Sequence, residues 1–389
     1  MRKANIIEKM RTFKPFLKYM NPKTLLFLKK WMKNERMHVY NNKVRLNSFF
    51  PPSPSTPHKR FIKAAFSKER TPLNVYISTT NKCPYDCPHC SYKKRPEEEI
   101  STKEFYNIID QIKELGTPTI GFTGGEPLLR KDIEKLIEYS KPELNTIIFT
   151  TGYSLTRKKA EKLKKAGIDC VTVGIESSNP EKHNKIRNNK ESFNWLEKSV
   201  KNCVDAEIYT AISTIGFREK IENIYILGEK CEVGELRLLN PVATGGIANK
   251  TEVILNSNEI EKLKEFHKKH NRKNLGPVVE SFAYIESSEL FGCGAGFHHM
   301  FIDAAGNVCP CDLTPLSFGN IKEKKLKDIW VEMGKYFPRP RLNCFMNSIA
   351  DKIPKDTNFP ISKKQSITLF RPAKKDDPLP EWYKHVLKK

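Results

Sequence analysis

Eight consecutive residues, Cys83-Pro84-Tyr85-Asp86-Cys87-Pro88-His89-Cys90, carry three thiols close enough to serve one centre. Thiolates so near one another suit the wrapping of a single inorganic cluster better than well-separated disulfides. An iron–sulfur cube has four irons, so three protein ligands leave one iron open to bind and activate another molecule. The triplet therefore points to a reactive centre. Its structural alternative is a zinc site, which would need a fourth ligand such as His89.

A second group of thiols lies downstream. Cys293-Gly294-Ala295-Gly296 precedes Asp303-Ala304-Ala305-Gly306, which reads as a hairpin turn, and Cys309-Pro310-Cys311 follows, with Cys344 further on. The hairpin would bring Cys293 towards Cys309 and Cys311, and four thiolates with Cys344 would close a cluster. The alternative is zinc or unligated thiols. His298 and His299 follow Cys293, and strand alternation predicts that at most one of them faces a substrate. Cys170, Cys203 and Cys231 read as small buried apolar residues.

The elements that must position these groups follow from the pattern between residues 72 and 275. Short β-rich runs near 73–79, 118–122, 145–150, 170–175, 208–215 and 235–240 alternate with helical stretches near 102–115, 131–140, 156–166, 192–204, 219–228 and 257–270. Six βα units predict an incomplete barrel or an open doubly wound sheet, and in both ligands collect beyond the carboxyl ends of the strands. The cysteine loop follows the first of these strands. After the second comes Thr123-Gly124-Gly125-Glu126-Pro127, where paired glycines let backbone meet a ligand and Glu126 offers an acceptor for an ammonium group.

The C-x3-C-x2-C loop and the Gly-Gly-Glu-Pro turn, one βα unit apart, together resemble the radical S-adenosylmethionine (radical SAM) superfamily over about residues 72–240. The resemblance implies an α/β fold, a partial (β/α)6 TIM-like barrel. It implies a [4Fe–4S] cluster on Cys83, Cys87 and Cys90, with S-adenosylmethionine chelating the open iron. Gly124, Gly125, Glu126 and Pro127 would line its methionine end, and Glu176, in Gly174-Ile175-Glu176-Ser177, would contact the ribose. Arg187 would meet the methionine carboxylate, and Leu239, Asn240 and Pro241 would stand near the adenine. One departure is His89, where the superfamily commonly has a carbocyclic aromatic; an imidazole can still stack on adenine and adds a titratable ring. The downstream cysteines, with Phe318-Gly319-Asn320 and Ile329-Trp330, are similar to the twitch/SPASM extensions of these enzymes. Four cysteines instead of seven match the shorter form, with one auxiliary [4Fe–4S] cluster and a β-hairpin followed by a helix. Reduced ferredoxin or flavodoxin is the implied electron donor.

Composition bounds the rest. The net charge is +23, and residues 1–70 hold 18 Lys and Arg against 3 Asp and Glu, so +15 of it precedes the cysteine loop. Residues 1–50 read as basic amphipathic helices, which either pack on the main domain or lie on an anionic membrane surface. Residues 51–71 read as a Pro-rich linker, 72–275 as the radical SAM core, 276–345 as the auxiliary-cluster domain and 346–389 as a tail whose function is unreadable. Ten cysteines without a hydrophobic signal sequence predict a cytoplasmic protein, peripheral at the inner face of the membrane if the arm binds lipid. No base-reading module accompanies the basic charge, which disfavours a nucleic-acid-binding protein with structural clusters. The expected function is radical C–H oxidation, functionalisation or cross-linking, with a lean towards a lipid substrate and peptide modification as the alternative.

Overall fold

The computed structural model describes residues 1–67, 69–92, 95, 98–215, 220–273, 275–354 and 359–387. Three short strands, β1 (Arg2–Lys3), β2 (His38–Tyr40) and β3 (Lys43–Arg45), form a small sheet in the order β1-β2-β3. The main sheet begins with β4 (Asn74–Ser78), β5 (Thr119–Thr123), β6 (Asn145–Thr150), β7 (Cys170–Gly174), β8 (Thr210–Ile215) and β9 (Glu235–Leu239). These are the six strands expected from the sequence, paired in parallel in chain order.

Their two-residue period decides what the sheet shows to each side. Val75, Ile77, Ile120, Phe122, Val171 and Leu236 belong to the main core shared with the covering helices. The intervening Tyr76, Phe149, Thr172 and Arg237 line a cavity on the other side. Among the helices, Thr102–Glu114 shows the local logic. Ser101 and Glu104 form a capping box, and Phe105, Ile108, Ile109 and Ile112 recur on one buried face. The helix expected from 219 runs over Ile221–Lys230, residue 219 itself lying outside the described residues.

The sheet does not stop at six strands. After the helix Ser257–Arg272, β10 (Val278–Ser281) adds in parallel to β9. At the opposite edge β11 (His299–Ile302) pairs in parallel with β4, and β12 (Val308–Cys309) returns antiparallel to β11. The hairpin is therefore an edge of the barrel sheet, and the reading that separated 72–275 from 276–345 cuts through one continuous sheet. Its turn is held by the Asp303 carboxylate, which accepts from the backbone of Ala305 and Asn307.

The N-terminal segment contains α1 (Ile6–Phe13), a 3-10 turn (Lys14–Tyr19) and α2 (Pro22–Met32). Phe16, Phe27, Leu28 and Trp31 share an apolar cluster with Tyr284, Phe297, Trp382 and Tyr383, so the segment packs on the main body. The stretch read as linker holds a helix, α3 (Thr56–Ala65), started by a Ser55 cap and Pro57 in its first turn. Between them, Arg45 donates to the Asp169 carbonyl and Ser48 to the Glu235 carboxylate, while Asn145 donates to the Ser48 carbonyl. Those partners stand at the starts of β6, β7 and β9, so residues 45–48 cover the amino end of the sheet.

Candidate active site

The cysteine loop leaves the carboxyl end of β4 and is seated against the turn after β5. Gly125 N–H donates to the Thr80 carbonyl at 2.8 Å and Glu126 N–H to the Lys82 carbonyl at 2.7 Å. A Cβ on Gly125 would stand 2.2 Å from the Lys82 oxygen, and one on Gly124 2.4 Å from that of Thr80. Only glycine permits this approach, and Gly124 also has φ +130°. Cys83, Cys87 and Cys90 all line the cavity, together with Gly124 and Gly125.

Glu126 is placed differently from its expected role. Its side chain is fully buried behind the cavity wall, and its carboxylate accepts from Thr150 Oγ1 (2.7 Å), Thr151 N–H (2.8 Å), Thr151 Oγ1 (2.5 Å) and Leu128 N–H (3.0 Å). With those donors it ties β5 to β6. Pro127 is buried at the start of a 3-10 turn, and Ser177 accepts from Asn179 N–H to shape the entry to a helix; neither lines the cavity.

That helix, Pro180–Arg187, was missed in the sequence, although Asn179 before Pro180 is a cap followed by proline in the first turn. It delivers Arg187 from its last turn. Arg187 Nη2 meets Glu176 Oε1 at 2.8 Å, His89 Nε2 stands 3.4 Å from the same oxygen, and Arg187 Nη1 lies 3.9 Å from Cys87 Sγ. Burial pushes the Glu176 carboxyl up, but Arg187 and His89 outweigh it and hold it at about 2. His89, Glu176, Arg187, Leu239 and Asn240 all reach the cavity. Asn240 Oδ1 and Arg187 Nε are buried without a protein partner. Three soft thiols, a glycine-lined approach, an ionised carboxylate and an unused amide acceptor fit a cluster with S-adenosylmethionine beside it.

Of the four downstream cysteines, three reach the same cavity: Cys293, Cys311 and Cys344. A bridge in which Cys293 and Arg341 exchange backbone hydrogen bonds brings Cys344 near Cys293. Cys309 is a correction to the four-thiol reading. Its place in β12 turns it into an aromatic cluster with Tyr76 and Phe301, where Arg95 Nη1 approaches its sulfur at 3.9 Å. Burial pushes its thiol up to about 12. Cys311 follows Pro310 beyond the strand and so escapes that alternation. Beside it, Asp312 Oδ1 lies 3.4 Å from Cys311 Sγ and 3.1 Å from His299 Nε2. Asp312 and Glu286, neither singled out in the sequence, both line the cavity. The expectation for His298 and His299 also fails. Residue 298 precedes β11, so alternation does not separate the pair, and both line the cavity. His298 Nδ1 is 2.6 Å from the Tyr383 hydroxyl of the tail.

Both cysteine sets thus open on one cavity of about 880 Å³. It extends past Tyr76, Phe149 and Phe282 to Phe13, Phe16, Leu28 and Trp31 of the N-terminal segment. Its polar lining includes the pair Arg237 and Glu280, 3.3 Å apart, with the guanidinium over the Phe49 ring at 4.2 Å.

Comparison with known proteins agrees with this geometry. Residues 77–227 match the family model of the radical SAM superfamily, and residues 293–343 that of the SPASM iron–sulfur cluster-binding domain. The chain is a radical SAM enzyme. This radical SAM enzyme is 26% identical over 275 residues to the PqqA peptide cyclase of Granulibacter bethesdensis, covering 67% of this chain and 74% of that protein. It is 25% identical over 287 residues to the AdoMet-dependent heme synthase of Oleidesulfovibrio alaskensis, covering 66% and 74%. In fold it is similar to Streptococcus suis SuiB bound to the precursor peptide SuiA, with TM-score 0.58 at 18% identity over 70% of this chain and 68% of that one. The cofactors of this radical SAM enzyme are a [4Fe–4S] cluster, S-adenosylmethionine and an auxiliary iron–sulfur cluster in the SPASM domain. Among the described residues no helix is long and apolar enough to cross a membrane.

Proposed function

We propose that this radical SAM enzyme oxidises or functionalises an unactivated C–H bond of a substrate with an extended apolar portion, such as a lipid chain. The observation that carries this reading is the single cavity, which joins both cysteine sets to a path walled by Tyr76, Phe149, Phe282, Phe16 and Trp31. Such walls hold a chain by apolar burial and keep water from the reacting carbon. Bound cluster and S-adenosylmethionine supply a carbon-centred radical that takes a hydrogen atom from such a bond.

In this reading Cys83, Cys87 and Cys90 hold the first cluster, and Cys293, Cys311 and Cys344 hold the auxiliary one. Ionised Glu176 accepts from the ribose hydroxyls, Arg187 faces the methionine carboxylate, and Asn240 Oδ1 accepts from the adenine amino group. The Gly124–Gly125 backbone cradles the methionine end. His89 flanks the adenine, and Leu239 supplies apolar wall. Reduced ferredoxin or flavodoxin delivers the electron.

Peptide modification is the second reading, favoured by the likeness to PqqA peptide cyclase. A heme synthase at nearly the same identity weakens that argument, because relatives at this distance act on chemically different molecules. The test is anaerobic turnover of the reconstituted enzyme with lipid and peptide fractions from cells grown in deuterated medium. Deuterium in 5′-deoxyadenosine with the lipid fraction is expected. Label from the peptide fraction alone overturns the lipid reading in favour of the peptide one.

A further inference from the structure

The first 33 residues hold ten Lys and Arg and a single acidic residue, Glu8. Arg2 occupies that carboxylate, donating to both of its oxygens at 2.9 and 2.5 Å. The structure divides the apolar residues of this segment into two sets. Phe13, Phe16, Leu28 and Trp31 face inward and line the cavity. Ile6, Ile7, Met10, Leu17, Leu25 and Leu26 face outward, 51–69% exposed. They make up half of the twelve exposed large apolar side chains among the described residues, gathered within 21 positions. Ile6 and Met10 lie one turn apart on α1, Leu17 follows on the 3-10 turn, and Leu25 and Leu26 share the outer side of α2 with Lys29 and Lys30.

Scattered exposed apolar residues need no explanation, whereas a local concentration marks an interaction surface. The side chains between them identify the partner. Arg11, Lys14, Lys18, Lys23, Lys29 and Lys30 are all exposed. Protein interfaces are depleted in lysine, and a helix that lies in the headgroup layer combines lysines with outward Ile, Leu and Met. We infer that α1, the 3-10 turn and α2 dock the enzyme on an anionic bilayer, their outer side chains entering the headgroup layer and their lysines meeting lipid phosphates. The inner faces of the same elements form one end of the cavity, so docking sets that end beside the membrane. The docking surface stands independently of which substrate is used.

The test is flotation of the full-length reconstituted enzyme with vesicles of phosphatidylcholine alone or mixed with phosphatidylglycerol, at low and high salt. Binding to the mixed vesicles that falls with salt is expected. The combined variant Ile6→Ser, Met10→Ser, Leu26→Ser should bind about tenfold less or weaker still, with unchanged iron content and melting temperature, because these side chains touch no core. Lys14→Glu with Lys18→Glu should lose binding while its melting curve is kept. Equal binding to both vesicle types, or binding unaffected by either variant, overturns the proposal. So does salt-sensitive RNA binding without vesicle binding, or self-association that the serine variant abolishes while vesicles are ignored. Failure of turnover on lipid with intact flotation would sink the substrate reading and leave the docking surface standing.

Discussion

Glu176 sits where burial and a guanidinium oppose each other, and the guanidinium wins: its carboxyl is held at about 2 although it is almost fully buried. Glu176→Gln leaves Arg187 buried without its counter-charge, and a loss of about 3 kcal/mol in chemical denaturation is expected, together with weaker S-adenosylmethionine binding by equilibrium dialysis. The cysteines give a sharper contrast. Cys344 faces the cavity with Cys293 and Cys311, whereas Cys309 faces Tyr76 and Phe301. Cys344→Ser should remove about four irons per chain from the reconstituted protein. Cys309→Ser should leave the iron count unchanged, as measured by colorimetric iron assay, and equal losses in the two variants would restore the four-thiol reading.

Two elements place the reactive groups, and they differed in how plainly the sequence announced them. The glycine turn after β5 was legible, because Gly-Gly-Glu-Pro is local chemistry. Its task includes seating the cysteine loop, since Gly125 approaches the Lys82 carbonyl more closely than any Cβ allows. Gly125→Ala should therefore displace the loop, costing about 1–3 kcal/mol, and lower the brown absorbance of the first cluster in a protein that lacks the auxiliary cysteines. The helix Pro180–Arg187 is short and weakly apolar, so periodicity passed over it while its Asn-Pro start signalled it. The β2–β3 hairpin was passed over in the same way. Its turn residues Asn41 and Asn42 both take positive φ, the conformation that paired asparagines favour.

At the scale of the molecule, the N-terminal segment and the tail are parts of the cavity wall. The C-terminal helix Glu381–Val386 packs on α2, and its Trp382 and Tyr383 line the cavity, although the tail taken by itself carried no readable function. Burial of the N-terminal segment also sets an acid sensitivity. Burial lowers His38 to about 3, with Arg45 and Arg36 adding to the effect, and burial lowers His58 to about 4. Below the unfolded value of 6.5 the unfolded chain takes up protons that these rings refuse, so stability should fall as pH drops from 6.5 towards 4. Thermal melts at stepped pH should show this. His38→Phe should flatten the slope, and an unchanged slope would assign the acid loss to other groups.

By itself, the sequence determined the cysteine triplet, the glycine turn and the alternation of strand and helix, because each depends on residues close together in the chain. Only the tertiary structure decided which downstream thiols share a site, that Glu126 spends its oxygens on β6, and that both His298 and His299 reach the cavity. It also decided which apolar residues of the N-terminal helices face the protein and which face outward. Those outcomes rest on contacts between distant residues, such as Cys293 with Arg341 and His298 with Tyr383, and local spacing carries no record of such pairings.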